Sequence, residues 1–407
     1  MPPQQNAVCD MKTIPKYTFF ALCLGWSWHG WAQPRPHPTQ PMNRDQATNV
    51  ILMIGDGMGL AQVSAALYAN FNQLHIGRLP ILGFHKSYSS DQLVTDSAAG
   101  ATAFACGRKT FNSAIGLTKD SLPCKTLLEE AEEKGLATGL IVTSTIVHAT
   151  PAAFAAHAIS REYYEDIALD MADSGADLLI GGGMQYFTRR ESDERNLVDA
   201  LKGKGYVVED YMNAPLNGFK WNPNKPLAYF TADKQPLNVA AGRDYLALAA
   251  KMGPVFLEKR SKQGFFLMIE GSQIDWACHA RDGKLAIKET LDFDRAVGEA
   301  LKFAQSNQNT LLIVTADHET GGMALMPGSK MGKVETSFTT NNHTASLIPV
   351  FAYGPGSGCF SGIYENTDIY YKIREALGFD FTQHSPSASP AVQKAPQQAV
   401  GESNRHP

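Results

Sequence analysis

Asn49-Val50-Ile51-Leu52-Met53-Ile54-Gly55-Asp56-Gly57-Met58-Gly59 is the stretch whose reading decides the fold. Val50 to Ile54 is apolar without a break, so a strand here has no face to give to water. That suits a central strand covered by helices on both sides. Working outward, further short apolar runs predict strands at Thr138–Thr143, Ala176–Ile180, Gly264–Ile269, Thr310–Thr315 and Pro349–Tyr353. Longer amphipathic runs alternate with them and predict helices at Lys125–Lys134, Tyr163–Ser174, Asp244–Gln263, Leu285–Gln308 and Asp368–Leu377. Gly135 stands where a glycine commonly ends a helix. Strand alternating with helix predicts the α/β class, with a largely parallel central sheet flanked by helices on both faces. The polar, Pro- and Asn-rich stretch from Asn213 to Asn238 reads as an insertion or a long loop, and no internal repeat is visible.

The chain has 407 residues, 44% hydrophobic and 19% charged, which are globular values for one large domain or two ordinary ones. The formal net charge of −4 and the lack of a long basic run argue against nucleic acid as a partner. Near the start, Lys12 and Lys16 precede the apolar run Phe19 to Trp26, with small residues at Gly30 and Ala32. This reads as a secretory signal peptide over residues 1–32, with residues 1–10 an upstream extension and Met11 the better start. The apolar run is shorter than the roughly 18 residues that a membrane span needs. A periplasmic or secreted protein with no membrane span in the mature chain is therefore expected. Residues 33–45, with four prolines, read as a linker into a domain at 46–381, and the Ser-, Pro- and Gln-rich segment 382–407 reads as a disordered tail. Of six cysteines, Cys106, Cys124, Cys278 and Cys359 lie beyond the signal; Cys106 and Cys124 are a candidate pair, with free thiols the alternative.

In open α/β sheets, ligands bind beyond the carboxyl ends of the strands. Asp56 follows the first strand, and His148 and Thr150 follow the second. Glu270, Asp275 and His279 follow the Gly264 run, Asp317-His318 follows the Thr310 run, and His343 precedes the last strand. Carboxylates with imidazoles suit zinc; carboxylates with hydroxyls suit magnesium. Each piece alone has a bland alternative. The glycine-rich turn at Gly55 has G-x-G-x-G spacing, not the G-x-G-x-x-G of a dinucleotide site. Asp275 and His279, four apart, share a helix face as ligands or merely as neighbours. Asn342-His343-Thr344 fits a glycosylation acceptor as well as a ligand.

Thr95-Asp96-Ser97-Ala98-Ala99 is of another kind. Small helix-compatible residues follow Ser97, which places it at a helix start, where backbone N–H groups favour an anion. Asp96 or Ser97 as a simple helix cap is the alternative. No G-x-S-x-G elbow surrounds Ser97, so metal activation suits it better than a serine–histidine triad.

Six motifs together resemble the alkaline phosphatase family: Ile54-Gly55-Asp56-Gly57-Met58-Gly59, Thr95-Asp96-Ser97-Ala98-Ala99, His148-Ala149-Thr150-Pro151-Ala152, Glu270-Gly271-Ser272-Gln273-Ile274-Asp275 with His279, Thr315-Ala316-Asp317-His318-Glu319, and His343-Thr344. They occur in the family's order over roughly residues 47 to 380. The resemblance implies a metal-dependent phosphomonoesterase with two Zn2+ and one Mg2+, a phosphoserine intermediate on Ser97, small phosphate monoesters as substrates and inorganic phosphate as product. It assigns Asp275, His279 and His343 to one zinc, and Asp56, Asp317 and His318, with Ser97, to the other. Asp56, Thr150 and Glu270 would hold the magnesium. Arg161, eleven residues after Thr150, matches the phosphate-binding arginine. The chain departs from the best-known bacterial members at two positions near the third ion and the substrate. Histidine stands at His148 in place of aspartate, and tryptophan at Trp276 in place of lysine; the combination is similar to some other bacterial enzymes. Sulfatases need a C/S-x-P-x-R context that Ser97 lacks, diesterases of the superfamily usually carry threonine as nucleophile, and a non-catalytic phosphate or metal binder would have lost a ligand. Monomer and homodimer are both open.

Overall fold

The computed structural model describes residues 46–379. The signal, linker and tail expected at 1–32, 33–45 and 382–407 lie outside the described residues. Strands β1 (Asn49–Gly55), β2 (Ile81–Lys86), β3 (Ala137–Thr145), β4 (Leu178–Gly182), β5 (Val207–Asp210), β6 (Leu227–Phe230), β7 (Phe265–Gly271) and β8 (Thr310–Thr315) join with Ile348–Tyr353 and Gly362–Glu365 in one ten-stranded sheet. The order is Gly362–Glu365, β2, Ile348–Tyr353, β8, β1, β7, β3, β4, β6, β5. From β8 to β5 every pairing is parallel; Ile348–Tyr353 runs antiparallel to both β8 and β2.

The apolar run that opened the sequence reading is buried on both faces, strand by strand. Val50, Leu52 and Ile54 face one core, while Ile51 and Met53 face the other. Phe266 and Met268 of β7, and Leu311 and Ile313 of β8, repeat that alternation against Leu267, Ile269, Leu312 and Val314. Two helical layers supply the cores. The helices Ser97–Cys106, Leu127–Glu133, Ala149–Ala155, Tyr164–Asp173 and Asp368–Ala376 cover one face; Leu60–Ala69, Leu246–Arg260 and Gly283–Asn307 cover the other. The expected helix at Lys125 begins two residues later, because Thr126 forms a capping box with Glu129. The segment Asn213–Asn238 is not simply a loop. Its Leu227–Phe230 forms β6, fully buried between β4 and β5, in a run too short to carry a periodic signal.

Cys106 and Cys124 are bonded, with Cα atoms 5.9 Å apart, whereas Cys278 and Cys359 are free. Cys106 ends the helix that Ser97 begins. The bridge closes a loop with a sequence separation of 18, which reduces the freedom of the unfolded chain. Converting both cysteines to serine is expected to cost about 3 kcal/mol of stability, read as a lower midpoint of thermal or denaturant unfolding. An unchanged midpoint would show that the bridge contributes nothing.

Candidate active site

β8, β1, β7 and β3 are adjacent and parallel, so their carboxyl ends open on one edge of the sheet. Asp56 leaves β1, Glu270 ends the apolar part of β7, Asp317 and His318 follow β8, and His148 caps the helix Ala149–Ala155 after β3. The helix Gln273–His279 carries Asp275 and His279 on one face, and the short strand His343–Thr344 pairs with Glu319–Thr320 to bring His343 in. Gly57 makes this closeness possible. Its φ is +71°, and a Cβ there would meet Asp275 Cα at 2.9 Å and Thr320 Oγ1 at 2.7 Å.

Potential ligand atoms collect into three groups, each within 4.8 Å: Asp275, His279 and His343; Asp56, Asp317 and His318; Asp56, His148 and Glu270. In the first, His279 Nε2 lies 3.2 Å from Asp275 Oδ2 and 3.1 Å from His343 Nε2. His279 Nδ1 lies 2.6 Å from the Asn341 carbonyl and His343 Nδ1 2.8 Å from that of Thr95. A carbonyl only accepts, so each Nδ1 donates and each Nε2 presents a lone pair. Two lone pairs and a carboxylate facing one point call for a cation between them. In the second group, His318 Nε2 is 3.3 Å from Asp317 Oδ2, 3.5 Å from Asp56 Oδ1 and 3.2 Å from Ser97 Oγ. Asp317 Oδ1 is held by the Gly57 and His318 amides, while its Oδ2 has no hydrogen-bond partner. Both oxygens of Asp56 and of Glu270 are likewise buried without one. Bare carboxylate oxygens at zero exposure are costly unless a cation meets them. The donor sets fit metal ions.

Electrostatics agree. Burial, then the charges of Asp317, Asp275 and Glu270, push Asp56 well above its ordinary carboxylate range. Burial likewise raises Glu270 to about 8 and, with Asp275, raises Asp317 to about 6. Burial also acts to raise Asp275, but the hydrogen bond to His279 and the charges of His318 and His343 outweigh it and hold it low. His148 is lowered to about 3 by burial and then by Arg161, so it stays neutral.

Ser97 is the first residue of a helix whose ten residues are all buried, and Asp96 is its cap, accepting from Ala99 N at 3.0 Å. The same aspartate accepts from Arg161 Nη1 at 3.1 Å, leaving the rest of the guanidinium beside the helix start; Arg161 Nη2 reaches His148 Nε2 at 3.5 Å. Trp276 stacks edge-on to His148 with centroids 5.8 Å apart. Every site residue anticipated from sequence thus gathers here. Thr150, two residues on from His148, is buried. The third group closes around His148, which the resemblance had made only a neighbour of that ion.

A sequence model of the alkaline phosphatase family matches residues 47–336. The chain belongs to the alkaline phosphatase family. Alkaline phosphatase 3 of Bacillus subtilis is 32% identical over 424 residues, covering 83% of this chain and 90% of that one. The alkaline phosphatase of Escherichia coli K12 is 31% identical over 408 residues, covering 82% and 86%. Among solved structures, the alkaline phosphatase of the Antarctic bacterium TAB5 shares 41% identity and a TM-score of 0.77, covering 83% of this chain and all of that one. A variant of that enzyme with one histidine changed to aspartate has Mg bound in its M3 site. The protein is accordingly a phosphatase, a hydrolase of phosphate monoesters, in a metal-dependent family.

Residues outside the motifs also shape the site. Thr320 bonds Asp275 Oδ1 and lies 3.2 Å from His318 Nδ1, joining two of the ligand groups. Gln62 donates to Glu319 Oε1 at 2.9 Å and to the Thr320 carbonyl at 2.8 Å, fixing the turn that carries them. No spacing rule singles these out, because their role is set by partners distant in sequence.

Proposed function

We propose that Ser97 forms a phosphoserine during monoester hydrolysis, at a site where Asp275, His279 and His343 hold one zinc ion and Asp56, Asp317 and His318 a second. The observation that carries this reading is the Ser97 hydroxyl 3.2 Å from His318 Nε2, beside the unpartnered oxygens of Asp56 and Asp317. Zinc held there supplies Lewis-acid charge that lowers a hydroxyl pKa and offsets charge on the reacting oxygens. Asp56, Glu270 and Thr150 offer oxygens suited to magnesium, and His148 adds a nitrogen that transition metals favour.

Arg161 binds two non-bridging phosphate oxygens, and the N–H groups at the helix start take the third. Ser97 Oγ gives up its proton to solvent as it attacks phosphorus in line; the Oγ–P bond forms as the ester P–O bond breaks, and the departing alkoxide takes a proton from solvent. Water then attacks the phosphoserine from the vacated side, giving inorganic phosphate and returning the proton to Ser97. Turnover of p-nitrophenyl phosphate, with little of the bis ester and none after chelation, tests the reading; preference for the diester would overturn it.

Trp276 stands where a lysine would add a positive charge beside the phosphate, so product is held more weakly. Trp276→Lys is expected to lower the inhibition constant for phosphate about fivefold, equivalent to ~1 kcal/mol. Where release limits turnover, kcat falls with it. Unaltered phosphate inhibition would count against this role. The leader-like start and the Cys106–Cys124 bridge support export to an oxidising compartment, periplasmic or extracellular. Cell fractionation tests that placement, and recovery only from the cytosol would refute it.

A further inference from the structure

One residue outside every motif ties together the two groups that flank the anion site. Ser113 N donates to Asp96 Oδ2 at 3.0 Å, and its carbonyl accepts from Arg161 N at 2.8 Å. Asp96 is the carboxylate that holds Arg161 Nη1, so Ser113 grips both ends of that ion pair through its own peptide groups. To do so it adopts φ 78°, a left-handed conformation that is uncommon for a residue with a Cβ. Strained backbone of this kind persists only where its surroundings over-determine it.

Those surroundings are present. Ile115 and Ala158 exchange N–H···O bonds of 2.9 and 3.0 Å, forming an antiparallel bridge two residues beyond Ser113. Ser113 Oγ meets Ser160 Oγ at 3.2 Å. Asn112 Oδ1 accepts from Asp96 N at 3.1 Å. The segment lies inside the loop closed by the Cys106–Cys124 bridge, so it is anchored to the far end of the Ser97 helix.

We infer that Ser113 is a positioning residue for Arg161: its left-handed peptide fixes the arginine backbone and the Asp96 carboxylate in one register, which aims the guanidinium at the phosphate beside Ser97. The inference rests on the reading of Arg161 as the phosphate ligand. Its energetic content is the entropy of a long side chain held in advance of binding, which otherwise is lost when phosphate arrives.

Proline at 113 removes the N–H and enforces φ near −65°, breaking both contacts. Glycine keeps both and adopts positive φ without strain. Ser113→Pro is expected to lower kcat/KM for p-nitrophenyl phosphate by about 30-fold and to weaken phosphate inhibition by a similar factor, against less than about twofold for Ser113→Gly. The same Ser113→Pro change introduced into Arg161→Ala is expected to add less than about twofold, because the group it aims is already gone. Ser113→Val, which keeps the N–H but strains the backbone, serves if the proline variant does not fold, and is expected to move both quantities in the same direction. Full losses from proline in both backgrounds, or equal effects of glycine and proline, would refute a positioning role. If Arg161→Ala alone leaves kcat/KM and phosphate inhibition unchanged, the arginine reading fails first and this inference with it.

Discussion

Ser97→Ala is expected to lower turnover of phosphate monoesters by about 10,000-fold or more, the scale seen when a covalent nucleophile is removed. Ser97 is buried at the start of a buried helix, with its hydroxyl against His318 Nε2. Among the described residues, Ser97 Oγ is the hydroxyl seen within hydrogen-bond reach of His318 Nε2. Losing the oxygen leaves Asp96, Arg161 and the helix amides in place, so phosphate binding is expected to survive within about tenfold while kcat collapses. Acid quenching of the parent enzyme with labelled substrate is expected to trap phosphate on protein, and the alanine variant to trap none. A variant retaining a tenth of parental turnover, or one that still labels, would move the nucleophile elsewhere.

How far the sequence carries can be judged at particular residues. β1 and β8 were legible to the residue, because a strand buried on both faces announces itself as an unbroken apolar run. β2, with the mixed burial of a strand near the sheet edge, and β5, half polar, offer no such run, while β6 is apolar throughout but only four residues long, and all three were missed. The ligand residues were legible because Asp56, Glu270, Asp317 and His318 sit at strand carboxyl ends, His148, Thr150, Asp275 and His279 lie in or beside a helix that follows a strand, and His343 stands just before Ile348–Tyr353, where such side chains are chemically distinctive. What stayed illegible depends on distances across the chain. Whether His148 comes within ligand reach of Asp56 and Glu270 is a matter of how β3 and β7 align, not of spacing. Ser113 acts through its peptide groups, which every residue possesses. Gly57 carried a partial signal, since a glycine after a strand-end carboxylate hints at a turn, but only the fold reveals that Asp275 packs against it.

Removing divalent ions is expected to abolish turnover and also to destabilise the fold, more so at alkaline than at acid pH. Asp56, Glu270 and Asp317 have zero exposure, and five of their six oxygens lack a hydrogen bond. Without ions, burial first and then the charges of neighbouring carboxylates, Asp275 among them, raise all three, Glu270 to about 8 and Asp317 to about 6. Such groups bind protons in the folded chain that the unfolded chain has already released. Their contribution to stability is therefore fully present below the unfolded carboxylate range, near pH 4, and is lost as pH rises through about 6 and then about 8. His148 and His318, both lowered by burial, are neutral in the fold and take up protons only on unfolding below about pH 6.5, where they oppose the carboxylate slope; above that pH the carboxylates set it. Cations take the place of those protons, which makes binding proton-linked. The rise in thermal midpoint on adding zinc and magnesium to chelated protein is thus expected to be larger at about pH 9 than at about pH 6. Calorimetry near neutral pH is expected to record proton release, as a heat that depends on the ionisation enthalpy of the buffer. A stabilisation that is equal at both pH values, with no buffer-dependent heat, would mean that the carboxylates enter the ion-free fold already charged and compensated by something other than a cation.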